Sequence, residues 1–450
     1  MPAVVVQKYG GSSVAGVARV QAVAARVAAT VATGVQVAVV VSAMGDTTDA
    51  LIALAQAVHP DPTHRELDLL MSTGEVVACA VLALALQARG VAARALTGAQ
   101  AGIYTSGPHR RAAIADVDSR RVRAVLAAGE VAIVAGFQGV RGPGPGGEIT
   151  TLGRGGSDTS AVALAVALGA AWCEIYTDVA GIFTADPRLV PAAQQIPRLG
   201  YTEMLELAHE GARVLHPRAV ELGSVYGLPI VVRSSFHARP GTVIAAPARR
   251  LPPELDAEGI VMELDNKISG VAHDADVARV TVTGVPRANR ELHRLFTPLA
   301  AAGINVDAIA YALDAEGHAA DCTFTVAAGD LARTVQIAGA AAVELGAREV
   351  RTRRDVAKVS LIGLGIQDTP GLAAQAFAVL AGAGIPIEMV TTSQIRITCL
   401  VPENRLEEAA RLLHHAFGLD GLDPPPERPA LPESSFPRIA SVPEVCPWPG

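Results

Sequence analysis

The chain has 450 residues, half of them hydrophobic, too many for one core, so two to four domains are expected. Its net charge of −7 and pI near 5.9 leave no electrostatic footprint for nucleic acid or an anionic membrane. Five cysteines, Cys79, Cys173, Cys322, Cys399 and Cys446, form no Cys-x-x-Cys pair; an odd number speaks against a disulfide framework and for the reduced cytoplasm. Apolar stretches such as Val76 to Leu86 are too short to span a bilayer, and no signal-peptide pattern precedes the first strand.

That strand is expected over Val4 to Gln7. It runs into Lys8-Tyr-Gly-Gly-Ser-Ser13 and a helix from about Val14 to Thr33. Ligands of open α/β sheets bind outside the carboxyl ends of the strands. Glycines there let backbone N–H groups approach a phosphate, and the helix start adds positive potential. Lys8 is one of only three lysines, with Lys267 and Lys358, among 37 basic residues. As a compact point charge it can follow a phosphoryl group in a way arginine cannot. The same residues could equally be a tight turn with an incidental lysine. Neither a Walker A loop nor a Gly-x-Gly-x-x-Gly on a strand-to-helix turn is found, which weakens a dinucleotide reading.

Val35 to Ser42 is a continuous β-branched run, the pattern of a buried parallel strand. Ser42-Ala-Met-Gly-Asp-Thr-Thr-Asp49 follows it, and its hydroxyls can bind an anion or cap the helix predicted from about Thr48 to Val58. Met71-Ser-Thr-Gly-Glu75 is read as opening a helix over Thr73 to Arg89. Glu75 there either complements the helix dipole or binds a substrate ammonium. Gly129 to Ala135 predicts a further strand. Thr150-Thr-Leu-Gly-Arg-Gly-Gly-Ser-Asp-Thr-Ser160 is the most informative segment. Backbone donors, the Ser157 hydroxyl and the Asp158 carboxylate converge at the start of a helix over Asp158 to Leu168, and Arg154 offers a fork for a carboxylate or phosphate. The strand Trp172 to Thr177 ends at Thr177-Asp178, and Gly181-Ile-Phe-Thr-Ala-Asp-Pro-Arg188 follows. Such a strand end could hold a nucleotide ribose or base, or form an Asx turn. To about Ala246 the pattern predicts a layered α/β domain with a largely parallel sheet.

Residues 247–262 have the polar, proline-rich composition of a linker. Beyond it Leu299-Ala-Ala-Ala-Gly303-Ile-Asn-Val306 is echoed by Leu380-Ala-Gly-Ala-Gly384-Ile-Pro-Ile387. Two copies of one strand–helix–strand–strand unit, over 263–345 and 356–420, suggest a tandem binding module. Residues 421–450 have the composition of a disordered tail.

Taken in order, KYGGSS, SAMGDTTD, STGE, TTLGRGGSDTSA, TDVAGIFTADPR and VLHPRAVE resemble the aspartate kinases of the amino-acid-kinase family over about residues 1–245. The repeat resembles their paired ferredoxin-like ACT domains. The resemblance implies transfer of the γ-phosphoryl group of ATP to the β-carboxylate of aspartate, the first step of lysine, threonine and methionine biosynthesis. It implies that Lys8, Tyr9, Gly10 and Gly11 meet ATP phosphates, that Thr48, Glu75, Arg154 and Ser157 hold aspartate, and that Thr177, Asp178, Phe183, Thr184, Ala185, Asp186, Pro187 and Arg188 line the nucleotide. Arg213 stands where the family usually has lysine. Lys8 and Asp158 are the expected catalytic pair. The acceptor carboxylate, with an ordinary pKa of about 3.9, is already ionised near pH 7, so no general base is required. Positioning and charge neutralisation remain the task, and Asp158 is expected to orient Lys8 or a magnesium-bound water. Magnesium would arrive with ATP and keep its waters, so no all-protein metal cage is expected.

ACT effector sites in such enzymes usually use the turn after the first strand, often Asp-x-Pro-Gly. The second copy keeps this as Asp368-Thr-Pro-Gly371, whereas the first reads Val285-Pro-Arg-Ala-Asn-Arg290, with Asp307 further on. The expectation is therefore a repeat that still pairs subunits, as a homo-oligomer or with a shorter regulatory chain. Its first copy would bind lysine or threonine weakly; the candidate effector contacts are Asp307 in the first copy and Asp368 and Gly371 in the second. Two rival readings are a kinase for another acid, such as glutamate or N-acetylglutamate, and a non-catalytic amino-acid sensor.

Overall fold

The computed structural model describes residues 2–142, 147–212, 214–246, 268–287, 290–367 and 369–421. Arg213, Asp368, the 247–262 linker and the 422–450 tail lie outside them. The first part runs β1 (Val4–Tyr9), α1 (Val17–Val31), β2 (Gln36–Val41), α2 (Thr47–Val58), α3 (His64–Gln87), β3 (Ala93–Leu96), β4 (Ile103–Ser106), β5 (Ala113–Val117), α4 (Arg120–Ala127), β6 (Val131–Ala135), β7 (Gln138–Arg141) and β8 (Glu148–Thr151). It continues through α5 (Gly156–Leu168), β9 (Trp172–Thr177), β10 (Arg198–Leu199), α6 (Tyr201–His209), α7 (Pro217–Tyr226), β11 (Ile230–Ser234) and β12 (Thr242–Ile244).

Eight strands form one sheet in the order β10-β12-β11-β9-β1-β2-β6-β3. Every pairing in it is parallel except β11 with β12. The β-branched runs make this possible because both faces are covered. Val37, Val39 and Val41 face α1 and α3, while Ala38 and Val40 face α4 and α5, following the two-residue period of a strand. The same period sends Tyr9 to the α1–α3 side and leaves Lys8 on the α5 side. A smaller sheet, β5-β4-β7-β8, flanks the large one.

Two helices differ from their sequence-based bounds. A 3-10 turn over Gly11–Val14 precedes α1, so the glycine turn is longer than expected. Helix α3 starts at His64, two turns before Thr73, and the STGE segment lies in its interior. Leu67, Met71, Ala78, Leu82 and Leu86 continue one buried stripe back through that polar beginning. By length and composition α3 could cross a membrane, but its buried face is packed in the core of this domain.

The second part comprises β13 (Gly270–Asp274), β14 (Ala278–Pro286), α8 (Glu291–Ala301), β15 (Ile309–Leu313), β16 (Ala319–Val326), α9 (Leu331–Leu345), β17 (Glu349–Arg353), β18 (Val356–Ile362), α10 (Leu372–Gly382), β19 (Met389–Thr392), β20 (Arg396–Pro402) and α11 (Leu406–Ala416). Two four-stranded sheets result, β15-β16-β14-β17 and β13-β18-β20-β19. Each unit thus gains a second helix beyond the strand–helix–strand–strand pattern. The units are also interleaved. Strand β13, expected in the first copy, pairs antiparallel with β18 of the second, and β17, expected in neither, closes the first through β14. The second unit is therefore built around the first.

Polar contacts join the three bodies. Buried Glu210, just after α6, accepts from Ser360 Oγ at 2.6 Å and pairs with Arg396. Lys358 on β18 lies 2.8 Å from Asp307 of the first unit and 3.9 Å from Glu210. Arg279 and Arg353 of the first unit reach Glu388 of the second.

Candidate active site

The loops at the carboxyl ends of β1, β2 and β6 meet the start of α5 around one cavity of about 290 Å³. Its walls include Lys8, Gly10, Gly11, Thr48, Glu75, Arg154, Ser157 and Asp158. Residues separated by up to 150 positions in the chain are thus brought together, at the edge where parallel sheets receive ligands.

The two glycine turns touch. Gly45 N–H donates to Gly11 O at 3.1 Å, and a Cβ on Gly11 would stand 2.9 Å from Ala43 O. At the other wall Gly155 is left-handed, with φ 68°, as the residue capping α5. A Cβ there would fall 2.2 Å from the His216 ring, so conformation and space both require glycine. Helix α5 then opens on Gly156, whose N–H donates to Gly153 O at 3.0 Å, and on Ser157 and Asp158, whose first-turn N–H groups have no intrahelical acceptor. They give this wall a positive potential suited to an anion.

Lys8 Nζ lies 2.7 Å from Asp158 Oδ1, an ion pair without hydrogen-bond alignment. Both side chains are about one-tenth exposed, so the ammonium is held at the cavity wall yet can still reach into it. Across from it, Glu75 projects from the middle of α3. Its Oε1 accepts from the Ala43 N–H at 3.1 Å, and its buried Oε2 has no partner among the described residues. Burial pushes this carboxyl up to about 7, opposed in part by the Ala43 N–H. A carboxylate so placed gains by receiving a cation. Arg154 pairs with no acid among the described residues and remains available for an anionic group. His216, packed on Gly155, is held below its usual range by burial, while Asp158 acts in the opposite direction.

Some expected nucleotide contacts need correction. The Tyr9 side chain is fully buried, stacks on Tyr176 at a centroid distance of 4.7 Å and donates to Gln7. Thr184 is also fully buried. Its hydroxyl lies 2.7 Å from His414 Nε2 of α11, and its carbonyl accepts from Val271 N–H of β13. Ala185 belongs to the core of the second small unit, with Phe183 packed against it. These residues form a seam between bodies, with the consecutive Thr184 and Ala185 both buried against the second small unit. Thr177 and Asp178 end β9 outside the cavity walls, hydrogen-bonded to each other at 3.1 Å. Asp186, Pro187 and Arg188 lie at the surface side of the same turn, with Asp186 and Arg188 paired at 2.6 Å. Sequence reasoning missed Phe137, a non-glycine residue at φ 66° that lines the cavity. It also missed the packing role of His216, although its position after a glycine-rich loop partner could not be inferred without the fold.

Of the three candidate effector residues, Asp307 is engaged by Lys358. Gly371 caps α10 at φ 97°. Asp368 is outside the described residues.

Residues 3–234 match the model of the amino acid kinase family, and residues 359–417 match that of an ACT domain. The chain is 45% identical over 422 residues to an aspartokinase of Mycolicibacterium smegmatis, covering 94% of this chain and 97% of that protein. It is similar to the structure of Escherichia coli aspartokinase III in complex with aspartate and ADP, with 26% identity, a TM-score of 0.75, and coverage of 92% and 99% of the two chains. The same enzyme in complex with lysine and aspartate gives 25% identity and a TM-score of 0.70, with the same coverage.

Proposed function

From the premise that this chain belongs to the amino acid kinase family, among its aspartokinases, we propose how its residues divide the work. The reaction is transfer of the γ-phosphoryl group of ATP to the β-carboxylate of aspartate, giving 4-phospho-L-aspartate and ADP, the first step of an amino-acid biosynthetic pathway.

Glu75 receives the α-ammonium of aspartate and Arg154 its α-carboxylate, with Thr48 and Ser157 beside them. The observation that carries this reading is the buried, unpartnered Glu75 Oε2 in the cavity that Arg154 also lines. The β-carboxylate then points toward Lys8 and the start of α5. Lys8, steadied by Asp158, neutralises charge that builds on the transferred group, and the N–H groups of Gly11, Ser157 and Asp158 hold phosphate oxygens. Asp158 removes no proton, because the acceptor is already an anion. A magnesium ion would be carried on ATP phosphates with its own waters. That ion would supply further neutralisation of phosphate charge, and Asp158 would orient Lys8 or one of the ion's waters. The nucleotide's base and ribose would lie toward Thr177, Asp178 and the surface residues Asp186 to Arg188.

For regulation, the first ACT unit is a weakened amino-acid site. Pro286 has no N–H to donate, the Arg287 N–H is spent on His318 O, and Asp307 is held by Lys358. The exposed edge strand β15, with Ile309, Tyr311 and Leu313 outward, suits pairing with another ACT-bearing chain. Four buried free thiols, Cys79, Cys173, Cys322 and Cys399, fit a reducing cytoplasm.

The test is an ADP-release assay with aspartate, N-acetylaspartate, glutamate and N-acetylglutamate. Aspartate should be turned over, and N-acetylaspartate should fail because it has no ammonium for Glu75. Equal turnover of the two would overturn the assignment.

A further inference from the structure

Asp68 lies on α3, two turns before Glu75, and is fully buried. Its carboxylate gathers four polar contacts. Oδ2 accepts from the backbone N–H of Thr151 at 2.9 Å and of Arg110 at 3.0 Å, and stands 3.0 Å from His109 Nδ1. Oδ1 accepts from the Thr151 hydroxyl at 2.7 Å. A buried carboxylate is costly unless its lone pairs are used, so this arrangement is fully committed to two segments, the end of β8 and the loop at 109–110.

Those segments carry the substrate loop. Thr151 is the last residue of β8, and Arg154 follows three residues later. The intervening backbone is pinned on every side. Leu152 N–H donates to Phe137 O at 2.9 Å, and Ala112 N–H donates to Thr151 O at 3.1 Å. Arg218 bridges Leu152 O and Ala112 O at 2.8 and 3.0 Å. Gly153, at φ 76°, backs onto Arg110 O, where a Cβ would come within 2.7 Å. Glu75 is seven residues further along α3, or roughly 10 Å at 1.5 Å per residue. One rigid helix therefore bears the acid for the substrate ammonium and the acid that anchors the strand leading to Arg154.

We propose that Asp68 is a positioning residue that sets the spacing between the ammonium and carboxylate ends of the amino-acid site. The proposal rests on the reading of Glu75 and Arg154 as the partners of aspartate. Loss of the anchor lets the Arg154 loop relax while the phosphate side, built on β1 and α5, stays in place.

The test is steady-state kinetics on the full chain. Asp68→Asn removes the negative charge from the acceptor of the Thr151 and Arg110 N–H groups and puts an NH2 group in place of one carboxylate oxygen. Hydrogen bonds to charged groups are strong enough that the KM for aspartate should rise about tenfold or more, with the KM for ATP nearly unchanged. Thr151→Ser keeps the hydroxyl and should retain the wild-type KM for aspartate. Thr151→Val removes that donor and should raise the aspartate KM alone, by a smaller factor. This second pair decides the matter if Asp68→Asn does not fold. A lower melting temperature in Asp68→Asn or Thr151→Val with both KM values unchanged would overturn the proposal, since Asp68 would then only hold the fold. Absence of aspartate turnover in the wild type would instead overturn the reading of the site on which the proposal stands.

Discussion

Replacing Glu75 by Gln should make the protein more stable and less active. The carboxyl sits in a residue 3% exposed and is pushed by burial from 4.5 to about 7. In the unfolded chain it returns to its ordinary value. Between those two pH values the native state holds a proton that the unfolded state has released, so stability falls as pH rises through the window. At 1.36 kcal/mol per pH unit the loss totals about 3 kcal/mol above pH 7. Glutamine never ionises and keeps a carbonyl for the Ala43 N–H. Glu75→Gln should therefore match the wild type at pH 4.5 and exceed it by about 3 kcal/mol at pH 8, or roughly 6 to 12 °C in melting temperature for a domain of this size. Activity should move the other way. Only the ionised carboxylate can pair with the ammonium of aspartate. The wild-type kcat/KM should thus rise with pH through about 7 and be about tenfold lower at pH 6 than its plateau. In Glu75→Gln it should be low and flat over the same range. Scanning fluorimetry at pH 5 to 8, alongside initial rates at subsaturating aspartate, measures both. A variant no more stable than the wild type at pH 8 would refute the burial argument, and a pH-independent wild-type kcat/KM between 6 and 8 would refute the role of Glu75.

Lys8→Ala should lower kcat about a hundredfold or more with little change in the KM for aspartate, as for an electrostatic group used mainly in the transition state; near-normal kcat would remove Lys8 from the phosphoryl site. Arg154→Ala should weaken aspartate binding and spare ATP binding in isothermal titration, and unchanged aspartate affinity would contradict its assignment. Gly155→Ala should abolish turnover, because the left-handed backbone and the His216 ring both exclude a Cβ; full activity would mean that α5 can shift without consequence. Lysine and threonine, alone or together, should give shallow or right-shifted inhibition at subsaturating aspartate. Strong micromolar inhibition that disappears in Asp307→Ala would show the first ACT unit to be an intact effector site.

Much of the kinase sheet was legible in the chain. Uninterrupted β-branched runs such as Val37 to Val41 mean strands covered on both faces, and glycines at their carboxyl ends mean turns that approach a ligand. Gly155 to Asp158 stood out because a glycine-rich loop entering a helix with a hydroxyl and a carboxylate is seldom only structural, while Lys8 and Glu75 took their roles from the family resemblance. Helix α3 was misjudged at its start because polar residues hid a buried stripe, and with it Asp68 went unread. The interleaving of β13 with β18 was also hidden, since edge pairing depends on which surface is left free once the first unit closes. Local patterns decide which way a side chain points along its own element, and so the sequence by itself determined β1, β2, β6 and β9, four of the eight strands of the large sheet, and the turns that follow them. Only the tertiary structure decided that Tyr9 and Thr184 turn into cores, that His216 leaves no room beside Gly155, and that the helix bearing Glu75 also anchors Thr151 through Asp68, because those are contacts between segments far apart in the chain.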